Sequence, residues 1–389
     1  MTPASFATMA RLDTYLNEEE RKKIRSVAER YALRVNDYYL NLIDWNDPHD
    51  PIRRLVIPGE GELAEYGRLD ASDEEANYVV PGCQHKYGAT ALLVVSEVCA
   101  SYCRYCFRKR LFQQEVQEAT ANPEPGIAYI AQHPEISNVL LTGGDSLMLS
   151  TGKLTAILSK LREIPHVQII RLGTKMPAFQ PMRIYEDEAL LEAVRQYSTP
   201  EKRIYIMAHM DHPRELTPEA CRAFRALQDA GAIVMNQTPI LKGINDDAGV
   251  LGELLDRLSW MGVAPYYFFV NRPVAGNIRF VLPLERVYRL VEEAKARTSG
   301  LGKRVRLVMS HSSGKIEILG IEKGKAYLKY HQSREGRYGK LMLLDCPPHA
   351  AWFDDLPGHE RYWSAPGSKQ RFVMTVPASP KASSTSCHP

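Results

Sequence analysis

The sequence has no apolar run approaching the roughly 18 residues that a membrane-spanning helix needs, so no span is expected. It has no excess of one charge sign. The 49 basic and 46 acidic residues leave a formal net charge of +3, which gives no reason to expect nucleic acid or an anionic membrane as a partner. Residues 1–13 lack a charged segment followed by an apolar one, so no secretory signal is read and a cytoplasmic location is expected. Cysteine is scarce, and its count is odd: seven in all. Cys83, Cys221, Cys346 and Cys387 are scattered, while Cys99, Cys103 and Cys106 lie within eight residues. That distribution is no disulfide framework; in a reducing compartment the tight group points to a metal or redox site. Core-forming residues are not scarce. With 44% hydrophobic and 24% charged residues the composition is that of a globular chain. A length of 389 residues suits two to three domains, or one α/β barrel with appendages.

Residues 13–43 read as helix, rich in Glu, Arg and Lys with apolar residues at helical spacing. The stretch after it, with Pro48, Pro51 and Pro58, reads as irregular. From Ala91 onward short apolar, β-branched runs alternate with amphipathic segments. The runs are residues 91–95, 138–142, 167–172, 204–208, 232–237 and 265–270. Thr217-Pro218-Glu219 is a helix start, with Thr at the cap and Pro at the first position. Six strand–helix repeats imply a parallel sheet, either doubly wound or closing into a barrel. Both place an active site at the C-terminal ends of the strands. A last strand-like run, 305–309, precedes a Ser/Gly turn, and the chain after Pro357 reads as a loose tail. The expected division is 1–90 helical and irregular, 91–300 repeated α/β, 301–356 a C-terminal extension, and 357–389 tail.

Cys99, Cys103 and Cys106 form a C-x3-C-x2-C motif just after the first run. A structural zinc site usually closes a tetrahedron with four ligands, and no histidine is near enough in sequence to be the fourth. Three thiolates on a [4Fe–4S] cluster leave one iron open. The amino and carboxylate groups of S-adenosylmethionine can chelate that iron, and cleavage then generates a radical. A zinc knuckle remains the alternative reading, and so does an electron-carrying cluster, though the latter more often brings a fourth Cys.

The motif, its position and the stretches around it resemble the radical S-adenosylmethionine superfamily, and within it the lysine 2,3-aminomutase family. The resemblance rests on SEVCASYCRYCFRKRLF (96–112), DPHDPIRRLVIP (47–58), LLTGGDSLMLS (140–150), IIRLGTKMP (169–177), AHMDHPRELT (208–217), MNQTPILKGIND (235–246) and PYYFFV (265–270), and runs from about residue 45 to 345. It implies a partial (βα)6 TIM-like barrel with an N-terminal helical region and a C-terminal extension. It also implies an isomerase that moves an amino group from C2 to C3 of an amino acid. Its cofactors would be the [4Fe–4S] cluster, S-adenosylmethionine and pyridoxal 5'-phosphate, and an electron donor such as a flavodoxin or ferredoxin would serve it. Homo-oligomer formation stays open. Within the family, free lysine or a lysyl group on a larger molecule are alternative substrates. From another class, a non-catalytic iron–sulfur carrier or sensor is the alternative.

Carried over position by position, the resemblance gives Gly143, Gly144 and Asp145 the amino group of the methionine moiety. Their other reading is a plain strand-to-helix turn. His209 and Gln237, at the ends of strands, match positions around the nucleoside, or else are satisfied polar groups. Arg108 would meet the substrate carboxylate with its fork, or else form a structural ion pair. Lys315, after Gly314, matches the lysine that binds pyridoxal phosphate. Lys86 and Tyr87, with Lys175, match the phosphate cradle, although Lys86 and Lys175 replace arginines and Thr90 stands where a further arginine is usual. Lysine mutases of the family hold the substrate's distal ammonium with two aspartates. Here Arg272 takes the first position and Met309 or Ser310 the second. An arginine about 4 Å from an ammonium repels it by roughly 1–4 kcal/mol, and it would bind a carboxylate instead. The expected substrate is therefore acidic, glutamate-like, unless Arg272 turns outward. Asp247 stands where the family often has Cys, so the family's dimer-linking zinc is not expected.

Overall fold

Alternation of apolar and polar residues over five to nine positions is what a half-buried strand needs, and every such run in this chain pairs into one sheet. The computed structural model describes residues 12, 14–112, 118, 122–336 and 339–363. Twelve strands are described: β1 (Tyr78–Val80), β2 (Cys83–Tyr87), β3 (Thr90–Ser96), β4 (Asn138–Gly143), β5 (Ile169–Thr174), β6 (Ile204–Ala208), β7 (Ile233–Ile240), β8 (Ala264–Val270), β9 (Arg306–His311), β10 (Gly314–Glu322), β11 (Lys325–Ser333) and β12 (Leu341–Asp345). Their order in the sheet is their order in the chain. The strands β3 to β9 pair in parallel, while β1–β3 and β9–β12 pair antiparallel. The order nowhere reverses, so the doubly wound alternative does not apply.

All six runs expected from the sequence are strands, and the run at 305–309 joins them as a seventh parallel strand, β9. The helices α1 (Glu18–Arg30), α2 (Glu124–Gln132), α3 (Thr151–Glu163), α4 (Glu188–Tyr197), α5 (Pro218–Asp229), α6 (Ala248–Trp260) and α7 (Leu284–Arg297) include the crossovers. Thr217 caps α5 by accepting from Ala220 N, with Pro218 at its first position, as read. Asp247 caps α6 through Gly249 N and Val250 N, which accounts for that residue. No helix among the described residues is long and apolar enough to cross a membrane.

The pleat sorts side chains onto two faces. On β5, Ile170 and Leu172 are buried in a core shared with Leu141, Ile206 and Phe224, while Arg171 and Gly173 on the opposite face are half-buried. A second core lies between α6, α7 and the β8–β12 strands, around Phe268, Leu307, Ile316, Leu328 and Trp352.

Two expectations need correction. The helix read over 13–43 is interrupted: α1 ends at Arg30, a short helix follows at Asp37–Leu40, and Asp13 is outside the described residues. The intervening stretch is extended because its carbonyls serve another segment. Arg34 O accepts from Tyr102 N at 2.8 Å, and Ala32 O accepts from Arg104 Nη1 at 2.8 Å. The tail read from Pro357 is packed as far as Trp363, which is 8% exposed in the second core. Residues 364–389 lie outside the described residues.

Candidate functional site

The loop that follows β3 carries Cys99, Cys103 and Cys106, all as free thiols. Its backbone is fastened from three sides. Arg104, 2% exposed, donates from Nη2 to Glu62 at 2.7 Å. Arg104 N reaches Leu55 O at 2.8 Å, and Ser101 Oγ accepts from Asn36 N at 3.3 Å. Burial pushes all three thiols above the usual range, and for Cys99 and Cys103 the charges of their neighbouring cysteines push in the same direction. Thiolates crowded together away from water need a cationic group among them. Among the described residues no three His, Cys, Asp or Glu are set to hold a single metal ion. Three free, partly exposed cysteines on one loop are the donor set that a cluster with one open iron takes.

The Thr142-Gly143-Gly144-Asp145 turn ends β4 beside this loop. Gly143 has φ +120°, and a Cβ there would sit 2.2 Å from Ser96 O; one on Gly144 would sit 2.5 Å from Val98 O. The two glycines thus let the turn press against the cysteine loop, with Gly144 N to Ser96 O at 2.6 Å and Asp145 N to Val98 O at 3.0 Å. Asp145 is 2% exposed. It accepts from Leu147 N at 2.9 Å and Lys175 N at 2.7 Å, so it braces two strand ends.

Lys175 requires a correction. Its ammonium donates to Asp211 Oδ2 at 2.8 Å and His209 O at 3.0 Å, and lies 2.7 Å from Glu215 Oε1. All three donors are engaged by groups from the segment after β6, so Lys175 is not free to hold a phosphate. Tyr39 donates to Glu215 at 2.6 Å, and Tyr105 donates to Asp211. His209 Nε2 lies 3.0 Å from the Tyr105 hydroxyl and 3.1 Å from Asp211 Oδ1, its ring stacked on Tyr105. Lys175→Met would leave two buried carboxylates unpaired. A loss of about 3–5 kcal/mol of stability is expected, read as a lower midpoint in thermal or denaturant unfolding; an unchanged midpoint would show that the acids find another partner. Gln237 is half-buried on β7 beside a bulge, opposite Tyr267.

Arg108 is held beside the Thr142-Gly143-Gly144-Asp145 turn. Its Nε and Nη2 fork grips Glu74 at 3.0 and 2.8 Å, and Nη1 donates to Thr142 Oγ1 at 2.8 Å. An ion pair with Glu74 is thus present at Arg108. Glu74 is shared with Arg110 at 2.7 Å, and these arginines hold its carboxyl well below the usual range.

Arg272 turns inward. Its guanidinium carbon lies 3.8 Å from the centroid of the Phe107 ring, and Nη1 donates to Ser72 Oγ at 2.9 Å. Ser72 in turn donates to Ser310 O at 3.2 Å, which ties the segment after β8 to the end of β9. Burial pulls the Arg272 guanidinium down to about 10.

Lys315 is the first inward residue after the β9–β10 turn. That turn is rigid: a Cβ on Gly314 would meet Gln332 O at 2.2 Å, and Ser313 Oγ bonds His311 Nδ1 at 2.7 Å. The Lys315 ammonium lies 4.3 Å from the Tyr267 ring centroid and 5.8 Å from that of Phe269. Among the described residues no carboxylate pairs with it. Burial first, then the positive charges of Arg171, Arg272 and Lys86, pull it down to about 7. Lys86 donates to His311 O at 2.7 Å, its own value pulled down to about 8 by burial, and its ammonium lies 5.6 Å from the Tyr87 ring centroid. An amine poised to be neutral, with no carboxylate of its own and with Arg171, Arg272 and Lys86 around it, fits pyridoxal phosphate in both its aldehyde and its phosphate.

Sequence reasoning missed Glu74, Asp211 and Arg171. A charged residue inside the apolar run 167–172 was a visible signal for Arg171. Glu74 and Asp211 carried none, since they act only through residues distant in sequence.

No protein-family model matches the chain. A protein of Aquifex aeolicus, provisionally named L-lysine 2,3-aminomutase, is 51% identical over 340 residues, 87% of this chain and 91% of its own length. The L-lysine 2,3-aminomutase of Clostridium subterminale is 35% identical over 73% of this chain and 68% of its own. The glutamate 2,3-aminomutase of Clostridioides difficile is 35% identical over 86% of this chain and 79% of its own.

Proposed function

Because the chain belongs to the lysine 2,3-aminomutase family and is an aminomutase, an isomerase, we propose that it is a radical S-adenosylmethionine and pyridoxal phosphate enzyme converting an acidic α-amino acid to its β-isomer. The observation that carries the substrate choice is Arg272, turned inward, with no carboxylate at either position that would hold an ammonium. The Clostridium subterminale lysine enzyme and the Clostridioides difficile glutamate enzyme are each 35% identical to this chain, and the 51% identical Aquifex aeolicus protein carries the lysine name only provisionally.

When bound, S-adenosylmethionine on an open iron supplies a radical, and pyridoxal phosphate supplies conjugation that tames it while nitrogen migrates. The residues divide the remaining work. Cys99, Cys103 and Cys106 would hold the cluster, in a loop whose shape Arg104 and Gly143-Gly144 maintain. His209 and Gln237, facing from β6 and β7, are the polar groups nearest the nucleoside in this reading. Lys315 is the amine for the aldehyde. The tyrosine and phenylalanine rings around it exclude water, which strengthens each charge interaction nearby. Arg272 would orient the side-chain carboxylate with charge-assisted bonds. The monotonic parallel order is read as an opened barrel of the family type. An electron donor of the flavodoxin or ferredoxin kind would reduce the cluster.

The test is conversion of glutamate, lysine and arginine by the purified, reconstituted and reduced protein. Glutamate is expected to turn over fastest, lysine more slowly by roughly tenfold or more from repulsion alone. Robust lysine turnover with none for glutamate would overturn the substrate assignment.

A further inference from the structure

Arg171 stands in the middle of β5, a guanidinium in an otherwise apolar strand, on the face turned away from the core that buries Ile170 and Leu172. Its Nε donates to Asn138 Oδ1 at 2.8 Å. Its two Nη groups have no hydrogen-bond partner, and no carboxylate pairs with it, among the described residues. A half-buried arginine whose fork is left open is placed to take an anion.

The neighbours say what that would be. Asn138, the first residue of β4, is the Cα partner of Thr90, the first residue of β3. Arg171 is therefore held beside Thr90, the position where the family resemblance puts an arginine and this chain has a neutral residue. Arg171 lies level with Tyr205 on β6. The Lys315 ammonium hangs over Tyr267, which is level with Arg306, the first residue of β9. The Lys315 ammonium thus hangs over the middle of β8 and Arg171 sits in the middle of β5, both set back from the strand ends that carry the cysteine loop. A substrate carboxylate has to lie close to the cysteine loop; a phosphate joined to an aldehyde held at Lys315 does not.

Resting on the function proposed above, we propose that Arg171 grips the phosphate of pyridoxal 5'-phosphate and takes over the duty of the arginine absent at Thr90. Two Nη groups on one plane suit two phosphate oxygens. The Nε bond to Asn138 fixes the plane. Lys86 completes the charge from β2.

The test compares pyridoxal 5'-phosphate with pyridoxal, which has the aldehyde but no phosphate. Uptake is read by absorbance titration and by mass spectrometry after borohydride trapping, without turnover. Arg171→Gln is expected to weaken pyridoxal 5'-phosphate roughly 10- to 100-fold, the worth of a charged hydrogen-bonded pair, and to leave pyridoxal within about threefold. Arg171→Lys, keeping the charge without the fork, should fall between. Equal losses for both aldehydes would mean a structural role and would overturn the assignment, as would no loss for either. Wild-type protein that traps neither aldehyde would overturn the cofactor reading, and this assignment with it. Wild-type protein that traps both equally well would overturn this assignment alone.

Discussion

Lys315→Ala will take up no trappable pyridoxal phosphate and will show no aminomutase activity. The expectation follows from ionisation as much as from position. An ordinary lysine, near 10.4, is about one part in a thousand neutral at pH 7.4, and only the neutral amine attacks an aldehyde. Lys315, at about 7, is mostly neutral there. The sign is fixed by its surroundings. Arg171 comes from β5, Arg272 from the segment after β8, and Lys86 from β2; all are positive and oppose the ammonium. Tyr267 and Phe269 offer ring faces, and among the described residues no carboxylate pairs with the Lys315 ammonium. Attachment in the wild type should therefore be half-maximal near pH 7, level off above it, and fall about tenfold per unit below it. Lys86 is the nearest rival, and its ammonium is already committed to His311 O. Its replacement should weaken the cofactor without removing the trapped adduct. A Lys315→Ala protein that still yields a trapped adduct would show that another amine does the work.

Serine at Cys99, Cys103 or Cys106 will abolish reconstitution with iron and sulfide, and with it cleavage of S-adenosylmethionine. Serine is nearly the same size but does not ionise at any useful pH, and a cluster held by three thiolates has none to spare. The readout is iron content and the visible spectrum after anaerobic reconstitution. Cys83→Ser and Cys221→Ser are the controls. Cys83 is fully buried on β2, and Cys221 lies on α5, so both should retain full iron. Adding S-adenosylmethionine to the reconstituted wild type should change its spectrum, because one iron is open. An unchanged spectrum would favour a cluster closed by a fourth ligand, the behaviour of an electron carrier.

The strands were readable because their signal is local: alternation within five to nine residues reports which face meets the core. The pairing of β10 to β12 with that sheet was not, since an antiparallel strand carries no mark of which edge it joins. The interrupted helix after Arg30 shows the same limit. Residues 32–35 look helical by composition and are extended because the cysteine loop uses their carbonyls.

The site divides along the same line. The sequence by itself determined the cysteine triad, the glycine turn and the position of Lys315, because each is a motif confined to one loop. Only the tertiary structure decided the charges. Arg108 was spent on Glu74, 34 residues away; Lys175 was spent on Asp211, 36 away; Arg272 was brought inward to Ser72, 200 away. A cation binds whichever anion the fold delivers, and Coulomb attraction has no sequence period. That is why the motifs sit in single loops, while the partners of the charged side chains come from contacts that no motif contains.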